Sequence, residues 1–429
     1  MRVLIISGDY KCGNIGDVAM LQVTIERLKS LWPNVGIHVL TDDPSSLLVH
    51  CPDVEPLFHR GRRIWCSDQY LVGGGILRRL PKSLSRRLIA LNRRLRRHAP
   101  SLLTRLIEIK MRLRGTDAKD FESFIEAFRC ADVVVACGQA GMNDLVRTHM
   151  LAVLDLLDMS VLAGKITAMF SQGIGPLRDS ELRARARAVL PSIDLIALRE
   201  DRASWPILKS SGVSADRVLT TGDDAVELAY SNRTPKLGGG IGVNVRLAQY
   251  AGADSGTLER IRPIIHECGR RLSAPLIPIP IARHEGLRDA MALRQLLAGY
   301  NGASDGGCDL DTPLRVIEQT ARCRIVVTGA YHGAVFALSQ GIPAVGLIGS
   351  EYVADKFKGL IAQFGPGCVM VDLNGPDLEK ELSEAIDKAW RADDGVRTGL
   401  LEAAQRQVES ARAAYHRVRE LTESKKSAA

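Results

Sequence analysis

The sequence of 429 residues predicts an α/β protein built from two Rossmann-like domains whose parallel sheets face a cleft. Short apolar runs alternate with helical patterns along the chain, which is typical of parallel sheets covered by helices on both faces. One hydrophobic core rarely serves more than about 250–300 residues, so this length favours two domains. The segment 231–240 is Gly-rich and lacks periodicity, and the alternating pattern restarts after it.

These observations place an N-terminal α/β domain at residues 1–232, with a basic helical insert at 78–114, and a C-terminal α/β domain at 240–390. Residues 391–429 are predicted to be helical because good helix formers predominate there. In the first domain we expect a helix at 19–31 and strands at 3–7, 36–41, 70–72, 131–136, 166–171 and 195–198. In the second we expect helices at 261–272, 315–322 and 334–340, and strands at 241–245, 275–281, 325–328 and 344–347.

Composition disfavours several classes of protein. Hydrophobic residues make up 46% of the chain, but no apolar run reaches the length of about 20 residues that a membrane helix needs. The N-terminal segment lacks the longer apolar region of a signal peptide, so we interpret it as a first buried strand and expect a cytoplasmic protein. The nine cysteines form no Cys-x-x-Cys pair, and neither a disulfide framework nor a metal site is predicted.

The insert at 78–114 carries much of the net charge of +8 and contains one acid, Glu108. Its apolar residues repeat at helical spacing with arginines on the other faces: Leu84, Leu88, Leu91 and Leu95, continued by Leu102, Leu103, Leu106, Ile107 and Leu113. A basic amphipathic helix is typical of peripheral contact with an anionic membrane surface. The alternative is a helical cover over the first domain with a solvated basic face. Nucleic acid binding is disfavoured because no aromatic residues accompany the charge.

The motif Gly13-Asn14-Ile15-Gly16-Asp17 lies between the first predicted strand and the first predicted helix. Ligands of open α/β sheets bind outside the carboxyl ends of the strands, where this turn falls. In one interpretation Asn14 shapes the turn and Asp17 caps the helix. In the other, Asp17 faces the cleft as a general base.

Other predicted strand ends carry glycine turns or polar side chains. The turns at 73–75 and 138–144, the second of which contains Asn143, either approach a bound sugar or only join strand to helix. Gln172 is expected to direct its amide into the cleft. Arg199 follows the strand at 195–198 and is a candidate clamp for phosphate or carboxylate, since its planar guanidinium binds both groups bidentately. The alternative for Arg199 is a surface ion pair with Asp201.

The last motif, residues 328–343, places His332 at the start of an apolar helix directly after a strand. A lone histidine is usually structural, but at this position the ring reaches the cleft, and a helix N-terminus favours nearby anions. This context favours a functional role for His332.

Taken together, these elements resemble the polysaccharide pyruvyltransferase family. The matching pieces occur in family order: the motif at 13–17, the turn at 138–144, residues 172–176, Arg199 with Ser204, Asn244-x-Arg246, and His332 with Phe336 and Gly341-Ile342-Pro343. The resemblance covers roughly residues 1–350. It implies a fold similar to the two-domain GT-B glycosyltransferases and a transferase that moves pyruvyl from phosphoenolpyruvate to two hydroxyls of a glycan sugar as a ketal.

The resemblance also implies residue roles. His332 and Asp17 are expected to be catalytic, and Arg199, Arg246 and His332 to bind the donor. The residues expected to bind the acceptor or line the cleft are Asn14, Asn143, Gln172 and Asn244. Many family members carry an arginine two residues before the histidine, where this chain has Ala330, and Arg246 is expected to supply that charge.

No metal or cofactor is expected, with phosphoenolpyruvate as co-substrate and a glycan or lipid-linked glycan precursor as partner. The alternatives are a GT-B-like glycosyltransferase that uses a nucleotide sugar and a non-catalytic relative.

Overall fold

The structure, a computed structural model, describes residues 1–67, 70–73, 76, 79–138, 142–284, 289–300 and 304–428. It confirms the predicted α/β class with two parallel sheets. Seven strands form the first sheet in the order β3-β2-β1-β4-β5-β6-β7: β1 Arg2–Ile6, β2 Gly36–Thr41, β3 Glu55–Phe58, β4 Val133–Cys137, β5 Ile166–Gln172, β6 Leu195–Leu198 and β7 Val218–Thr220. Five strands form the second in the order β12-β11-β10-β8-β9: β8 Gly240–Asn244, β9 Leu276–Pro278, β10 Cys323–Thr328, β11 Ala344–Ile348 and β12 Cys368–Asp372.

The helices of the described residues cover both faces of these sheets. Those within and beside the first sheet are α1 Ile15–Leu31, α2 Pro44–His50, α3 His59–Cys66, α4 Lys82–His98, α5 Pro100–Leu113, α6 Lys119–Cys130, α7 Arg147–Leu162, α8 Ser180–Val189, α9 Ser204–Ser210 and α10 Ala225–Ser231. Those that follow are α11 Ser255–Arg271, α12 Asp289–Leu297, α13 Pro313–Ala321, α14 Tyr331–Ser339, α15 Glu351–Phe364, α16 Leu378–Trp390 and α17 Asp394–Ala428.

The carboxyl ends of the two sheets meet each other, and this contact creates the cleft. The backbone N–H of Ile15, after β1, donates to the carbonyl of Ile281, after β9, at 2.9 Å. The N–H of Arg283 donates to the carbonyl of Gly13 at 2.7 Å. The turn after the first strand is therefore held by main-chain bonds to the second domain, and residues at both sets of strand ends can face one another.

The final helix, α17, returns from the second domain to the first. Its Tyr415 ring stacks on Phe170 of β5 with 3.8 Å between ring centroids. The Tyr415 hydroxyl lies 2.8 Å from the Thr24 hydroxyl in α1 and donates to Asp224 at 2.8 Å. The predicted helical tail thus becomes part of the packing of the first domain.

Two local expectations were wrong. The strand expected at 70–72 is a turn, because the ammonium of Lys110 in α5 takes the carbonyls of Tyr70 and Leu71 that a neighbouring strand would need. The first helix begins at Ile15 rather than at residue 19, since Asn14 caps it. In the turn expected at 73–75, Gly74 and Gly75 lie outside the described residues.

The basic insert is helical over α4 and α5, as expected, although Arg78 lies outside the described residues. Leu103, Ile107 and Met111 of α5 are buried against the first domain. In the described part of the chain, no helix is both long enough and apolar enough to cross a bilayer.

Candidate active site between the two domains

The turn after β1 brings Asp17 to the cleft. The side chain of Asn14 accepts hydrogen bonds from the N–H groups of Gly16, at 3.0 Å, and Asp17, at 3.4 Å, so Asn14 is the helix cap. Asp17 lies in the first turn of α1, and the interpretation of this residue as the cap is wrong. The carboxylate of Asp17 is therefore not needed to satisfy the helix end and is available to the cleft.

Gly16 and His332 are in direct contact across the domain boundary. A Cβ atom built on Gly16 would overlap the imidazole of His332, which is the second residue of the helix α14 after β10. Only a residue without a side chain lets the backbone of α1 approach the ring so closely. The glycine of the first motif and the histidine of the last motif thus form one contact.

His332 shares a buried carboxylate with Arg199. The Nε2 atom of His332 lies 3.5 Å from Oδ2 of Asp223, and Nη1 of Arg199 lies 3.8 Å from the same oxygen. All three side chains are almost completely buried. Burial raises the pKa of Asp223, but His332 and Arg199 lower it by more, so the net shift is downward. Asp223 is therefore held as an anion between two cationic or potentially cationic groups.

The loop that carries Asp223 is braced by its neighbour, Asp224. The N–H of Asp224 donates to the hydroxyl of Ser171 at 2.8 Å, and its carboxylate accepts from Tyr415 and from Arg27. The N–H of Ala225 donates to Asp223 at 3.0 Å. These contacts position the Asp223 carboxylate before any substrate arrives.

Arg199 is not a surface residue, which contradicts the alternative of an exposed ion pair with Asp201. Its guanidinium carbon lies 4.3 Å from the centre of the Tyr331 ring. A Cβ on Gly173 would come within 2.6 Å of Nε of Arg199, so the glycine makes room for the guanidinium. The Arg199 carbonyl also accepts from Gln363 of α15. The side chain is fixed on several sides at the wall of the cleft.

Burial raises the pKa of Asp17 to about 6. The positive charges of His332 and Arg199 oppose this shift, whereas the carboxylates of Asp9 and Asp223 add to it. A carboxyl group with a pKa near neutrality exchanges protons readily at physiological pH, which suits a general acid or base.

Lys356, in α15, is a further cation of the cleft. It lines three adjoining cavities of about 100, 230 and 240 Å³. Its ammonium lies 4.0 Å from the centre of the Tyr352 ring, and among the described residues we find no carboxylate paired with it. Burial lowers the pKa of Lys356, the charges of Arg199 and Arg246 lower it further, and the carboxylate of Asp17 opposes the shift without reversing it. An anion bound beside Lys356 would relieve that repulsion.

Most of the candidate catalytic and donor-binding side chains meet at the smallest of these cavities, of about 100 Å³. Asp17, His332, Arg246 and Lys356 all line it, and so does Ala330. The larger cavity of about 450 Å³ between α1, α10 and α17 contains none of these groups. In the described residues, no group of three or more His, Cys, Asp or Glu side chains is arranged to hold a metal ion.

A family model described as polysaccharide pyruvyl transferase matches residues 88–351, which is more than half of the chain. The chain belongs to the polysaccharide pyruvyl transferase family. The matched region includes Asp223, Arg199 and His332, although Asp17 precedes it.

Solved structures support the two-domain, GT-B-like fold of this pyruvyl transferase family member. The UDP-GlcNAc 2-epimerase from Neisseria meningitidis bound to UDP-GlcNAc is 11% identical, with a TM-score of 0.53 and coverage of 96% of this chain and 99% of that chain. The UDP-GlcNAc 2-epimerase from Methanocaldococcus jannaschii in complex with UDP-GlcNAc and UDP is 12% identical, with a TM-score of 0.51 and coverage of 92% and 94%. At these identities the likeness concerns the fold alone.

Arg246 has internal partners in this family member. Its guanidinium forms two hydrogen bonds with the Asp289 carboxylate, at 2.9 and 3.1 Å, and one with the Tyr250 hydroxyl at 2.9 Å. It still borders the cavity of about 100 Å³. Asn244 is completely buried and donates to Asp289 at 2.8 Å, so it supports Arg246 instead of lining the cleft.

Of the two amides expected in the cleft after β4 and β5, only Asn143 lies there. Asn143 lines the cavity of about 240 Å³ and donates to the Tyr352 hydroxyl at 3.3 Å. Gln172 is completely buried, and its amide turns back to the carbonyls of Phe170 and Ala136. The physical reason is a register shift of β5 against β6 before Gln172, with Ser171 at a φ of 54°. Residues 139–141 of the expected glycine turn lie outside the described residues.

Sequence reasoning missed Asp223 and Lys356. Asp223 follows β7 after a glycine, and a polar residue in a glycine turn after a strand is the pattern that identified the other motifs. The strand β7 was not predicted, however, because three residues are too few to show a periodicity. Lys356 lies in the second turn of α15 among other charged residues, and nothing in its sequence context separates it from a solvated lysine.

Proposed function

We propose that this protein transfers the pyruvyl group of phosphoenolpyruvate to two hydroxyls of a glycan sugar and releases phosphate. The observation that carries the proposal is the cavity of about 100 Å³, where Asp17 and His332 meet the cations Arg246 and Lys356. Arg199 adjoins it through Asp223 and Tyr331. A proton carrier beside several cations fits a small, doubly anionic donor.

Donor recognition needs cations because phosphoenolpyruvate carries a phosphate and a carboxylate. Arg199 offers a planar guanidinium for one of these groups, and Lys356 offers a compact charge for the other. Ala330 stands where many family members have arginine, and both Ala330 and Lys356 border the same cavity. Lys356, with Arg246 behind it, takes over that charge in this chain.

The reaction needs two kinds of proton transfer. A proton must first be added to the methylene carbon of the donor, which leaves an oxocarbenium-like centre at the carbon that bears the phosphate. In this proposal His332 delivers it, and the contact of the ring with the Asp223 carboxylate at 3.5 Å supports this role. Asp17 accepts the proton of the first sugar hydroxyl as its oxygen bonds to that centre. The C–O bond to phosphate then breaks, the second hydroxyl bonds to the same carbon, its proton passes to the departing phosphate, and the ketal closes. The proton taken by Asp17 returns to His332 through solvent, so both residues regain their starting states. Each placed proton transfer accelerates such steps by about 10²–10⁴-fold.

The acceptor sugar fits the adjoining cavity of about 240 Å³. Asn143 and His149 of the first domain and Tyr250 and Tyr352 of the second line it. Tyrosine rings offer flat apolar faces with a polar tip, which suits the mixed surface of a sugar ring. Asp17 borders both this cavity and the smaller one, so a hydroxyl bound here can reach both the base and the donor.

Donor binding provides the direct test. Thermal unfolding and titration calorimetry with phosphoenolpyruvate should show stabilisation of the native state by mass action, and phosphate should appear when glycan fragments are added. UDP-GlcNAc, the ligand of the similar epimerase structures, serves as the comparison. Stabilisation by UDP-GlcNAc without any effect of phosphoenolpyruvate would replace this proposal by that of a nucleotide-sugar enzyme.

A further inference from the structure

Helix α5 has two apolar faces, and only one of them packs against the protein. Leu103, Ile107 and Met111 are buried. A second row at the spacing i, i+4, i+7, i+11 faces solvent along the whole helix: Leu102 is 49% exposed, Leu106 37%, Ile109 53% and Leu113 83%. The single stripe expected from the sequence is therefore two rows, one structural and one without a partner in the described residues.

Helix α4, which packs beside α5, carries a similar leucine row, but its buried residues are polar. Leu84, Leu88, Leu91 and Leu95 follow the same spacing, with Leu84 and Leu91 exposed and the other two half-buried. Asn92 and Arg96 are its buried residues. Leu95 packs against the core of the first domain, and the remaining members of the two rows form an outward apolar surface. We call it the leucine surface: Leu84, Leu88, Leu91, Leu102, Leu106, Ile109 and Leu113.

Arginines border the leucine surface at equivalent positions in both helices. Arg87 and Arg94 stand three and ten residues after Leu84, and Arg105 and Arg112 stand three and ten residues after Leu102. At about 100° per residue these positions lie next to the leucine row on one side. All four side chains are exposed, whereas Glu108, the one acid of the two helices, is half-buried.

We propose that the leucine surface and its arginine border dock this protein on a bilayer that contains anionic lipid. An apolar row with cations along its edge matches the boundary between acyl chains and negatively charged headgroups. The occupant is an anionic membrane and not a second copy of the chain, because a symmetric contact would bring two positive rows together. It is not nucleic acid, since leucines in place of aromatic residues offer no stacking surface.

The test uses the full chain and vesicles of phosphatidylcholine, with or without phosphatidylglycerol, in co-sedimentation. One variant removes the apolar row of α5 (Leu102→Gln, Ile109→Gln, Leu113→Gln), and a second removes the charged border (Arg87→Gln, Arg94→Gln, Arg105→Gln, Arg112→Gln). A control changes exposed residues elsewhere, Leu314→Gln with Arg417→Gln. Because every altered side chain is exposed, all variants should melt like the parent.

The parent and the control should bind the anionic vesicles more strongly than the neutral ones, and added salt should weaken that binding. The border variant, which loses four charges at about 1 kcal/mol each, should lose up to about 1000-fold in partitioning, and the row variant about tenfold or more. Equal binding to neutral and anionic vesicles overturns the proposal. A parent that ignores both vesicles and forms a dimer by light scattering, with a monomeric row variant, overturns it in favour of a second copy.

Discussion

The Oδ2 atom of Asp223, in the first domain, lies 3.5 Å from Nε2 of His332, in the second. The same oxygen lies 3.8 Å from Arg199, and Tyr331, the residue before His332, covers the Arg199 guanidinium. The Asp223 carboxylate thus fixes the position of His332, in the second domain, relative to Arg199, at a strand end of the first domain. This arrangement couples the proposed proton donor to the proposed donor-binding cation.

Asp223→Asn should lower turnover by about 10²-fold or more, because it removes the carboxylate that orients the His332 ring. His332→Ala should abolish turnover altogether. The matched control is Asp201→Asn, at an exposed carboxylate two residues from Arg199. Steady-state rates of phosphate release from phosphoenolpyruvate would be measured for each. Normal rates in Asp223→Asn would leave the buried carboxylate with a structural role only.

Gly16→Ala should inactivate the protein through His332. The added methyl overlaps the imidazole, so the ring must leave its position against α1. Alanine otherwise favours helices by about 0.5–1 kcal/mol over glycine. Gly399→Ala, in α17 with open space around it, is the control and should raise the melting temperature without loss of activity. Retention of full activity by Gly16→Ala would show that the ring need not stay where the structure places it.

Arg199→Lys should weaken phosphoenolpyruvate binding by about tenfold to a hundredfold, since lysine lacks the planar fork and a charged hydrogen bond contributes about 1.5–3 kcal/mol. Titration calorimetry gives the dissociation constant directly. Arg178→Lys, at an exposed residue paired with Glu351, should leave it unchanged. An unaltered affinity in Arg199→Lys would remove Arg199 from the donor site.

The effects of Asp17→Asn on catalysis and on stability can be told apart, because the effect on stability changes with pH. Burial raises the pKa of Asp17 from 3.8 to about 6, so the folded state holds an extra proton between these values. The contribution of Asp17 to the stability of the parent therefore falls as pH rises from about 4 through 6, because ionising this carboxyl in the folded state is unfavourable. The asparagine variant, which has no such proton, should be more stable at pH 7 by an order of 1–3 kcal/mol and equal near pH 3.5.

The same variant should lose most of its turnover at pH 7 and keep its donor affinity. Melting curves between pH 3.5 and 8, together with rates and calorimetry, measure all three quantities. A variant with full activity would require another base, and a variant less stable than the parent at pH 7 would contradict the unfavourable burial of the Asp17 carboxylate.

Donor binding should be accompanied by proton uptake at alkaline pH, where the unbound protein holds Lys356 partly deprotonated. Burial and the charges of Arg199 and Arg246 lower the pKa of Lys356, and a bound anion raises it again. The second pKa of a phosphate monoester is about 6, so the donor itself takes up or releases few protons at pH 8. Calorimetry in buffers of different ionisation enthalpy counts the protons. Lys356→Met should reduce the uptake and the affinity, and Lys380→Met on the exposed side of α16 should change neither.

The sequence by itself determined the two α/β units and most strand ends that carry chemistry. Apolar periodicity depends on residues close together in the chain, so β1, β2, β4, β5 and β6 were recognised where the structure has them. The strands β3, β7 and β12 were not recognised; all three lie at the edges of their sheets and are only partly buried, so their pattern is less distinct than that of a fully buried strand. Residue type, position at predicted strand ends and the family resemblance together selected Asp17, Arg199 and His332, whose side chains suit acid–base work and anion binding.

Tertiary structure alone decided how those residues are used. It assigned the helix cap to Asn14, turned the Gln172 amide back to the strand, and tied Arg246 to Asp289. It also brought Asp223 between His332 and Arg199, and Lys356 into the cavity beside Ala330. These pairings depend on how the two sheets and the returning helix α17 are placed relative to one another. The interaction energy between two buried charges depends on the distance between them and on their burial, and neither quantity follows from the residues next to them in the chain.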